Sequence, residues 1–297
     1  GVNTIFQNTS SSDTSINTYI WNMGGAGNYQ VDPTTGIMTG PNSENPIYQY
    51  ATCGTYQVTL YILNDDNCDD TITKDVDVYC DPIADFEADT VCQNIPTTFT
   101  NQSSPGGSPS AGILSYLWDM DGAGTWISGG PNSENPIYKY DTCGEYDVVL
   151  TVTDSNGCVN IDTTTVIVWC NPIAEFNWED DCFDHQPIDF NDATTWGDGN
   201  PNTWTWNMNT DGNGTGNYHV DPTTGIMTGP NSENPFYFFD SCGIHPVELI
   251  VTDEYECADT IVNNIEVYCE PTADFSIQDS TCLGDTTVFI NNSFPDP

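Results

Sequence analysis

The chain has 297 residues, with 44 carboxylates against two cations, Lys74 and Lys139, and a formal net charge of -42. That balance excludes phosphate clamps and the basic footprint that nucleic-acid binding requires, and it excludes direct docking on an anionic membrane surface. No apolar run reaches the roughly 18 residues of a membrane-spanning helix, and a hydrophobic content of 37% suits several small cores better than one large core.

Taken from the amino terminus, the first 81 residues show Phe6, a strand ending at Trp21, a Gly-rich loop, and Asn-Pro-x-Tyr at Asn45 to Tyr48. Cys53-Gly54 then introduces an alternating run through Tyr56, Val58, Leu60 and Ile62. An Asn/Asp-rich turn at 64–70 leads into a second alternating run through Val76 and Val78. Two period-2 runs joined by such a turn predict an antiparallel hairpin. The same landmarks recur in register. Pro-x-Ala-acid-Phe opens a unit at Pro82 to Phe86, at Pro172 to Phe176 and at Pro271 to Phe275. Phe99, Phe190 and Phe289 stand where Phe6 stands, and Trp118 and Trp206 where Trp21 stands. The expected boundaries are therefore 1–81, 82–171, 172–270 and 271–297, the first unit lacking its opening strand and the last only beginning. Such ends read as a window on a longer array; the other reading is an amino terminus whose first strand comes from a neighbour.

The twelve cysteines repeat with the units. Cys53, Cys68, Cys80 and Cys92 are spaced 15, 12 and 12 apart; Cys143, Cys158, Cys170 and Cys182 repeat this, and Cys242, Cys257, Cys269 and Cys282 give 15, 12 and 13. With no close CxxC pairs, this is a disulfide framework for an oxidising compartment. Cys53 with Cys80, Cys143 with Cys170, and Cys242 with Cys269 flank the open base of each hairpin, so a bridge there is expected. Trp21, Trp118 and Trp206 are expected to fill the sandwich centres. The irregular Trp126, Trp178, Trp196 and Trp204 are expected at exposed contacts. His245 replaces Tyr56 and Tyr146 as a packed residue, and His185 and His219 have no counterparts. No nucleophile–base pairing repeats, so no enzyme is expected.

The succession Ala-Asp-Phe, Phe-x-Asn-x-Ser, Trp-Asp/Asn-Met with a Gly-rich loop, Asn-Pro-x-Tyr and Gly-x-Tyr-x-Val-x-Leu-x-Val resembles the polycystic-kidney-disease (PKD) domain. It does so over essentially the whole chain. The cysteine-rich version resembles tandem repeats of very large secreted surface proteins of Bacteroidota. The resemblance implies all-β, tandem immunoglobulin-like (PKD-type) sandwiches in an extended array, at the cell surface and without catalysis. In that topology the first-strand loop (Cys92, Cys182, Cys282) and the hairpin tip (Cys68, Cys158, Cys257) lie at opposite ends of a domain. End-to-end stacking then implies a Cys92–Cys257 link; the rival pairing is Cys80–Cys158 with Cys92–Cys143.

Ca2+ is the one cofactor the composition suggests. Asp119 and Asp121, and Asn207, Asn209 and Asp211, alternate oxygen ligands with glycine in the loops after the central tryptophans. Asp-Thr followed by Ile, Val or Thr at Thr71, Thr163 and Thr260 resembles an O-glycosylation acceptor pattern of Bacteroidota. The segment 27–48 is duplicated at 216–237 with 20 of 22 residues identical, and its apolar residues around Asp-Pro-Thr-Thr-Gly predict a small projecting hairpin. Together these features point to a structural or adhesive extracellular repeat protein, a segment of a long filament or giant adhesin. Its expected partners are neighbouring repeats, copies of itself in a fibre, or surface glycans. The alternative is a set of spacer or carbohydrate-binding modules in a secreted multidomain hydrolase.

Overall fold

The computed structural model describes residues 3–107, 112–180, 182, 186–208, 210, 216–277, 282–284 and 286–294. The described chain is built of β-strands and loops, in line with the alternating patterns above. It divides into two compact units: Gly1–Asp89 with Pro96–Lys139 and Tyr146–Val166, and Thr90–Ile95 with Tyr140–Glu145 and Ile167–Pro297.

In the first repeat the strands are β1 (Thr4–Ile5), β2 (Ile16–Asn22), β3 (Gly27–Tyr29), β4 (Ile47–Tyr50), β5 (Gly54–Asn64) and β6 (Asp69–Val78). They form two three-stranded sheets, β1-β4-β3 and β2-β5-β6. The long hairpin pairs Gly54 with Val78 at its base and Leu63 with Asp69 at its tip. The second repeat adds β7 (Phe86–Ala88), β8 (Val91–Cys92), β9 (Thr97–Asn101), β10 (Ile113–Asp119), β11 (Gly124–Ser128), β12 (Ile137–Tyr140), β13 (Gly144–Asp154) and β14 (Val159–Trp169). Its sheets are β11-β12-β9-β7 and β10-β13-β14-β8, each one strand wider than in the first repeat. The third carries β15 (Phe176–Asn177), β16 (Ile188–Asp189), β17 (Asn191–Asp192), β18 (Pro201–Asn207), β19 (Gly216–His219), β20 (Phe236–Phe239), β21 (Gly243–Asp253) and β22 (Ala258–Val267). The short β23 (Phe275–Ile277) and β24 (Phe289–Asn291) pair with each other at the end of the chain.

The sheets are held face to face by one aromatic triad per complete repeat. Trp118 is 3% exposed, with Phe86 at 5.0 Å and Phe99 at 5.5 Å. Trp206 is packed in the same way, with Phe176 at 5.1 Å and Phe190 at 5.7 Å. Each indole N–H also needs a partner once buried, and each donates to a serine carbonyl: Trp21 to Ser43 at 3.0 Å, Trp118 to Ser133 and Trp206 to Ser232 at 2.8 Å.

A second aromatic file runs beside the first repeat's triad position, Tyr29–Tyr48–Tyr50–Tyr56, with ring separations of 5.0, 4.9 and 4.1 Å. Burial, then the neighbouring phenols Tyr48, Tyr56 and Tyr29, pushes the Tyr50 hydroxyl up to about 12, so it stays protonated and donates to the Met23 carbonyl at 2.9 Å. In the third repeat the file is Tyr218–Tyr237–Phe239–His245. His245 keeps the role of Tyr56: it stacks on Phe239 at 4.3 Å, and its Nε2 lies 2.9 Å from the Ser241 carbonyl, as the Tyr56 hydroxyl meets that of Thr52 at 2.7 Å.

The duplicated segment forms a projecting β-bridge in both places, Val31 with Met38 and Val220 with Met227. Asp32 and Asp221 shape its turn. The Thr34 N–H holds the Asp32 carboxyl below its ordinary value, and the Thr224 hydroxyl chiefly does the same for Asp221.

Removing an aromatic from a triad opens a cavity that so small a core cannot refill. Phe99, fully buried, should cost about 3 to 5 kcal/mol when changed to alanine, read from the denaturant midpoint at unchanged slope.

Candidate functional site

The triad fixes the opening strand of each repeat and therefore the loop that follows it. In the second repeat that loop is β8, which runs parallel to the end of β14, Val91 facing Val168 and Cys92 facing Trp169. The Gln93 N–H donates to the Trp169 carbonyl at 2.7 Å. The hairpin tip of the third repeat meets it, with the Trp169 and Tyr255 rings stacked at 4.1 Å and 4°. Cys92 and Cys257 are joined by a disulfide with a Cα separation of 5.5 Å across 165 residues of sequence. Two polar contacts tie the interrepeat segment to the same place: Asn171 Nδ2 donates to the Gln93 carbonyl at 3.4 Å, and the Ala174 N–H to Asp259 at 2.8 Å. The remaining bridges, Cys53–Cys80, Cys143–Cys170 and Cys242–Cys269, close the hairpin bases at Cα separations of 5.0, 4.9 and 5.0 Å. The rival pairing of Cys80 with Cys158 and Cys92 with Cys143 is not the one present.

The tip itself is built by a residue to which sequence reading assigns no role. Asp253, fully buried, accepts the Tyr255 and Cys257 N–H groups on Oδ1, each at 2.9 Å. Asp154 receives those of Asn156 and Cys158 in the same way, and Asn64 those of Asp66 and Cys68. The signal was present as an Asn or Asp four residues before each tip cysteine. The residue before that cysteine is left-handed in all three tips: Asn67 at φ 64°, Gly157 at 82° and Glu256 at 66°.

Cys68, Cys158 and Cys282 are thiols in this structure; Cys68 and Cys282 are exposed and Cys158 is half-buried. Burial, then the Asp154 and Asp81 carboxylates, raises the Cys158 thiol above its ordinary value. Cys182 forms a parallel bridge with Tyr268.

Of the calcium candidates, Asp119 accepts the Asp121 N–H at 3.1 Å, and Asp121 accepts the Asp147 N–H at 3.0 Å. Asp119 thus serves the turn's own backbone, and Asp121 that of the neighbouring strand β13. Asn207 lies at the end of β18, while Asn209 and Asp211 lie outside the described residues, as does His185. Among the described residues no group of three or more His, Cys, Asp or Glu side chains is arranged to hold a metal ion. Thr71, Thr163 and Thr260 are solvent-exposed on β6, β14 and β22.

The irregular tryptophans correct the expectation of exposed contacts: Trp126, Trp178, Trp196 and Trp204 are half-buried. Trp126 packs on Tyr138 at 4.9 Å, and the other three pack against the third repeat's core. Trp204 spends its N–H on Asp192 at 2.9 Å and Trp178 its own on Asp180 at 2.8 Å. They pack at the rims of uneven sandwiches.

The family model for the PKD domain matches residues 79–168. Among solved structures, the PKD1 domain of Vibrio anguillarum Epp is 28% identical, covering 31% of this chain and 96% of that one at a TM-score of 0.26. The PKD1 domain of the Vibrio cholerae metalloprotease PrtV is 30% identical, covering 30% and 96% at 0.24. The I67–I69 I-band fragment of titin is 13% identical over 91% and 93% at 0.40. No curated protein matches the chain. The chain thus carries PKD/immunoglobulin-like repeats, a domain type that is typically non-catalytic, and its disulfides are those of an extracellular-type protein. No helix of the described residues is long and apolar enough to cross a membrane.

Two outcomes follow for the junction. Cys92→Ser and Cys257→Ser should each lower stability by about 2 to 4 kcal/mol, and the double variant should lose no more than either alone in a double-mutant cycle. Asp253→Ala, which strips two N–H groups of their acceptor in a buried turn, should cost about 1 to 3 kcal/mol, whereas Asp253→Asn should retain most of the stability in the same melting experiment.

Proposed function

We propose that this chain is a load-bearing segment of a long extracellular surface filament or adhesin, acting by mechanics rather than by chemistry. The observation that carries the reading is the Cys92–Cys257 bond, which ties a loop of one repeat to the hairpin tip of the next. An unlinked pair of repeats yields under tension by unravelling the weaker sandwich. With the bond in place, force applied to the chain ends passes from residue 92 to residue 257 through two sulfur atoms, and the intervening residues carry none of it. Outside that loop, the Cys53–Cys80 bridge shortens the remaining extensible chain in the same way. The acidic coat supports the reading from another side, since a net charge of -42 keeps copies apart in dilute solution. Exposed Thr71, Thr163 and Thr260 give that coat three hydroxyls open to glycosylation.

Pulling single chains by their ends, oxidised and then reduced, tests the proposal. A backbone extends about 3.5 Å per residue, so reduction of the 165-residue link should add roughly 550 to 600 Å of contour length, with a smaller further gain from the Cys53–Cys80 bridge. Equal total lengths in the two states would remove the link from the load path and the proposal with it.

A further inference from the structure

The duplicated segment is more uniform on its surface than the repeats that carry it are in their cores. Residues 27–48 and 216–237 match at 20 of 22 positions, whereas the stretches that follow, 49–81 and 238–270, match at 11 of 33. Core residues differ: Tyr50, Tyr56 and Ile62 of the first repeat are Phe239, His245 and Val251 in the third. The projecting tips do not. Ile37 and Met38, 67% and 62% exposed, recur as Ile226 and Met227 at 67% and 64%. Copying of a whole repeat would leave its core as uniform as its surface, so the identity belongs to the finger and to something that both fingers touch.

Each finger is stiff. In the first, the Gly36 N–H donates to the Asp32 carbonyl and the Asp32 N–H to the Ile37 carbonyl, both at 2.8 Å, with Gly36 left-handed at φ 71°. The Thr39 hydroxyl anchors the base between the Gln30 and Ile47 carbonyls at 2.8 and 3.0 Å. The second finger repeats these bonds at Asp221, Gly225 and Thr228. Two apolar side chains held on so fixed a tip lose little freedom on contact. Residues 30–40 carry one charge, Asp32, in a chain of net charge -42, so the tip meets another acidic chain with little like-charge repulsion.

The second repeat has the shorter GTWISGG in place of the finger, and its outer sheet face differs as well. Leu117 faces Thr151 across β10 and β13. The Asp154 N–H donates to the Cys158 carbonyl as the Asp253 N–H does to that of Cys257. The β13–β14 hairpin therefore keeps the register of β21–β22, in which Ile250 faces Thr260, and Ile161 lies beside Thr151. Leu117 and Ile161 are 53% and 58% exposed, with Leu114 at the β10 bulge and Val159 at the start of β14 exposed around them. In the fingered repeats these places are filled differently. Leu117 and Ile161 become Thr205 and Thr260 in the third repeat, and Ile20 and Thr71 in the first. Val159 becomes Ala258 and Asp69. The apolar patch thus stands on the repeat that lacks a finger.

We propose that the finger tips, Ile37–Met38 and Ile226–Met227, dock on the Leu117–Ile161 patch of a second copy of this chain. Knob and patch are two different surfaces, so the contact does not close on itself and chains can go on adding side by side. Their chemistry matches, apolar tip on apolar patch, and threonine rather than a carboxylate lies between the two patch residues. Two side chains cover far less than the roughly 1,000 Å² of a stable interface, so the pair of fingers on each chain, and repetition along a filament, supply the strength. The inference rests on the filament reading and adds its lateral partner. It uses no residue of the Cys92–Cys257 junction, so its failure would leave the load path and its pulling test untouched.

The test is sedimentation of the 1–297 chain over a concentration series in high salt, where screening over about 3 Å at 1 M removes long-range repulsion. Concentration-dependent association is expected. A finger variant combines Ile37→Ser, Met38→Ser, Ile226→Ser and Met227→Ser. A patch variant combines Leu117→Thr and Ile161→Thr, the residues that the third repeat carries there. Each should weaken self-association by about tenfold or more. All six side chains are exposed, and an unchanged melting midpoint shows that the fold is retained. Mixing decides the geometry: the finger variant keeps its patch and the patch variant its fingers, so together they should recover the association that neither shows alone. In the otherwise unaltered chain, a photo-crosslinking phenylalanine analogue at position 38 should label peptides containing Leu117 or Ile161 of another copy, identified by mixing isotopically light and heavy chains. Chains that stay monomeric throughout would leave the fingers to a partner other than this chain and overturn the proposal. So would a patch variant that self-associates like the unaltered chain, which would set finger against finger, or two variants that fail to complement on mixing.

Discussion

In every complete repeat a phenylalanine from the opening strand lies on the edge of a central indole, Phe86 on Trp118 and Phe176 on Trp206. The contact is more than core filling. It pins a strand of two or three residues, too short to be held by its ladder alone, and the loop leaving that strand carries the cysteine of the junction. Strand, loop and sulfur are positioned in sequence from one aromatic contact. In the first repeat, among the described residues, Phe6 and Trp21 form the corresponding pair at 5.6 Å.

Features governed by local period were legible in the amino-acid sequence. The all-β class follows from runs such as Tyr56, Val58, Leu60 and Ile62, and the packed role of His245 from its place in the repeat. The irregular tryptophans were not legible as rim-sealers. Nothing in the sequence near Trp204 reveals that Asp192 stands ready for its indole N–H, because the pair meets only after the sheets fold together. Asp154 and Asp253 were hidden differently: in a chain this rich in Asn and Asp, turn carboxylates blend into their surroundings. Only their fixed distance from the tip cysteines sets them apart. Asp119 and Asp121, read from the sequence as candidate cation ligands, each accept a backbone N–H, contacts that residue spacing alone did not reveal. The junction bond needs knowledge of the fold, since residues so far apart share no local pattern.

The near absence of cations shapes what the surfaces can do. With two lysines in the whole chain, ion pairing contributes little to holding repeats together, and the load falls on rings, backbone bonds and sulfur. The Trp169–Tyr255 stack, the Asn171 amide and the Asp259 carboxylate at the junction reflect this economy. None of them needs a positive charge.

The span of the junction bond also sets a timetable for the cell. A polypeptide delivered from its amino terminus exposes Cys92 long before Cys257 exists outside, and Cys143 arrives in the interval as a competing thiol. The nascent protein must therefore hold one sulfhydryl in reserve while the intervening sandwich closes its own hairpin. Secretion machinery that oxidised every thiol on arrival would lock in the wrong partner, so maturation of such a chain calls for an isomerase-like activity, or for folding fast enough to hide Cys143 first.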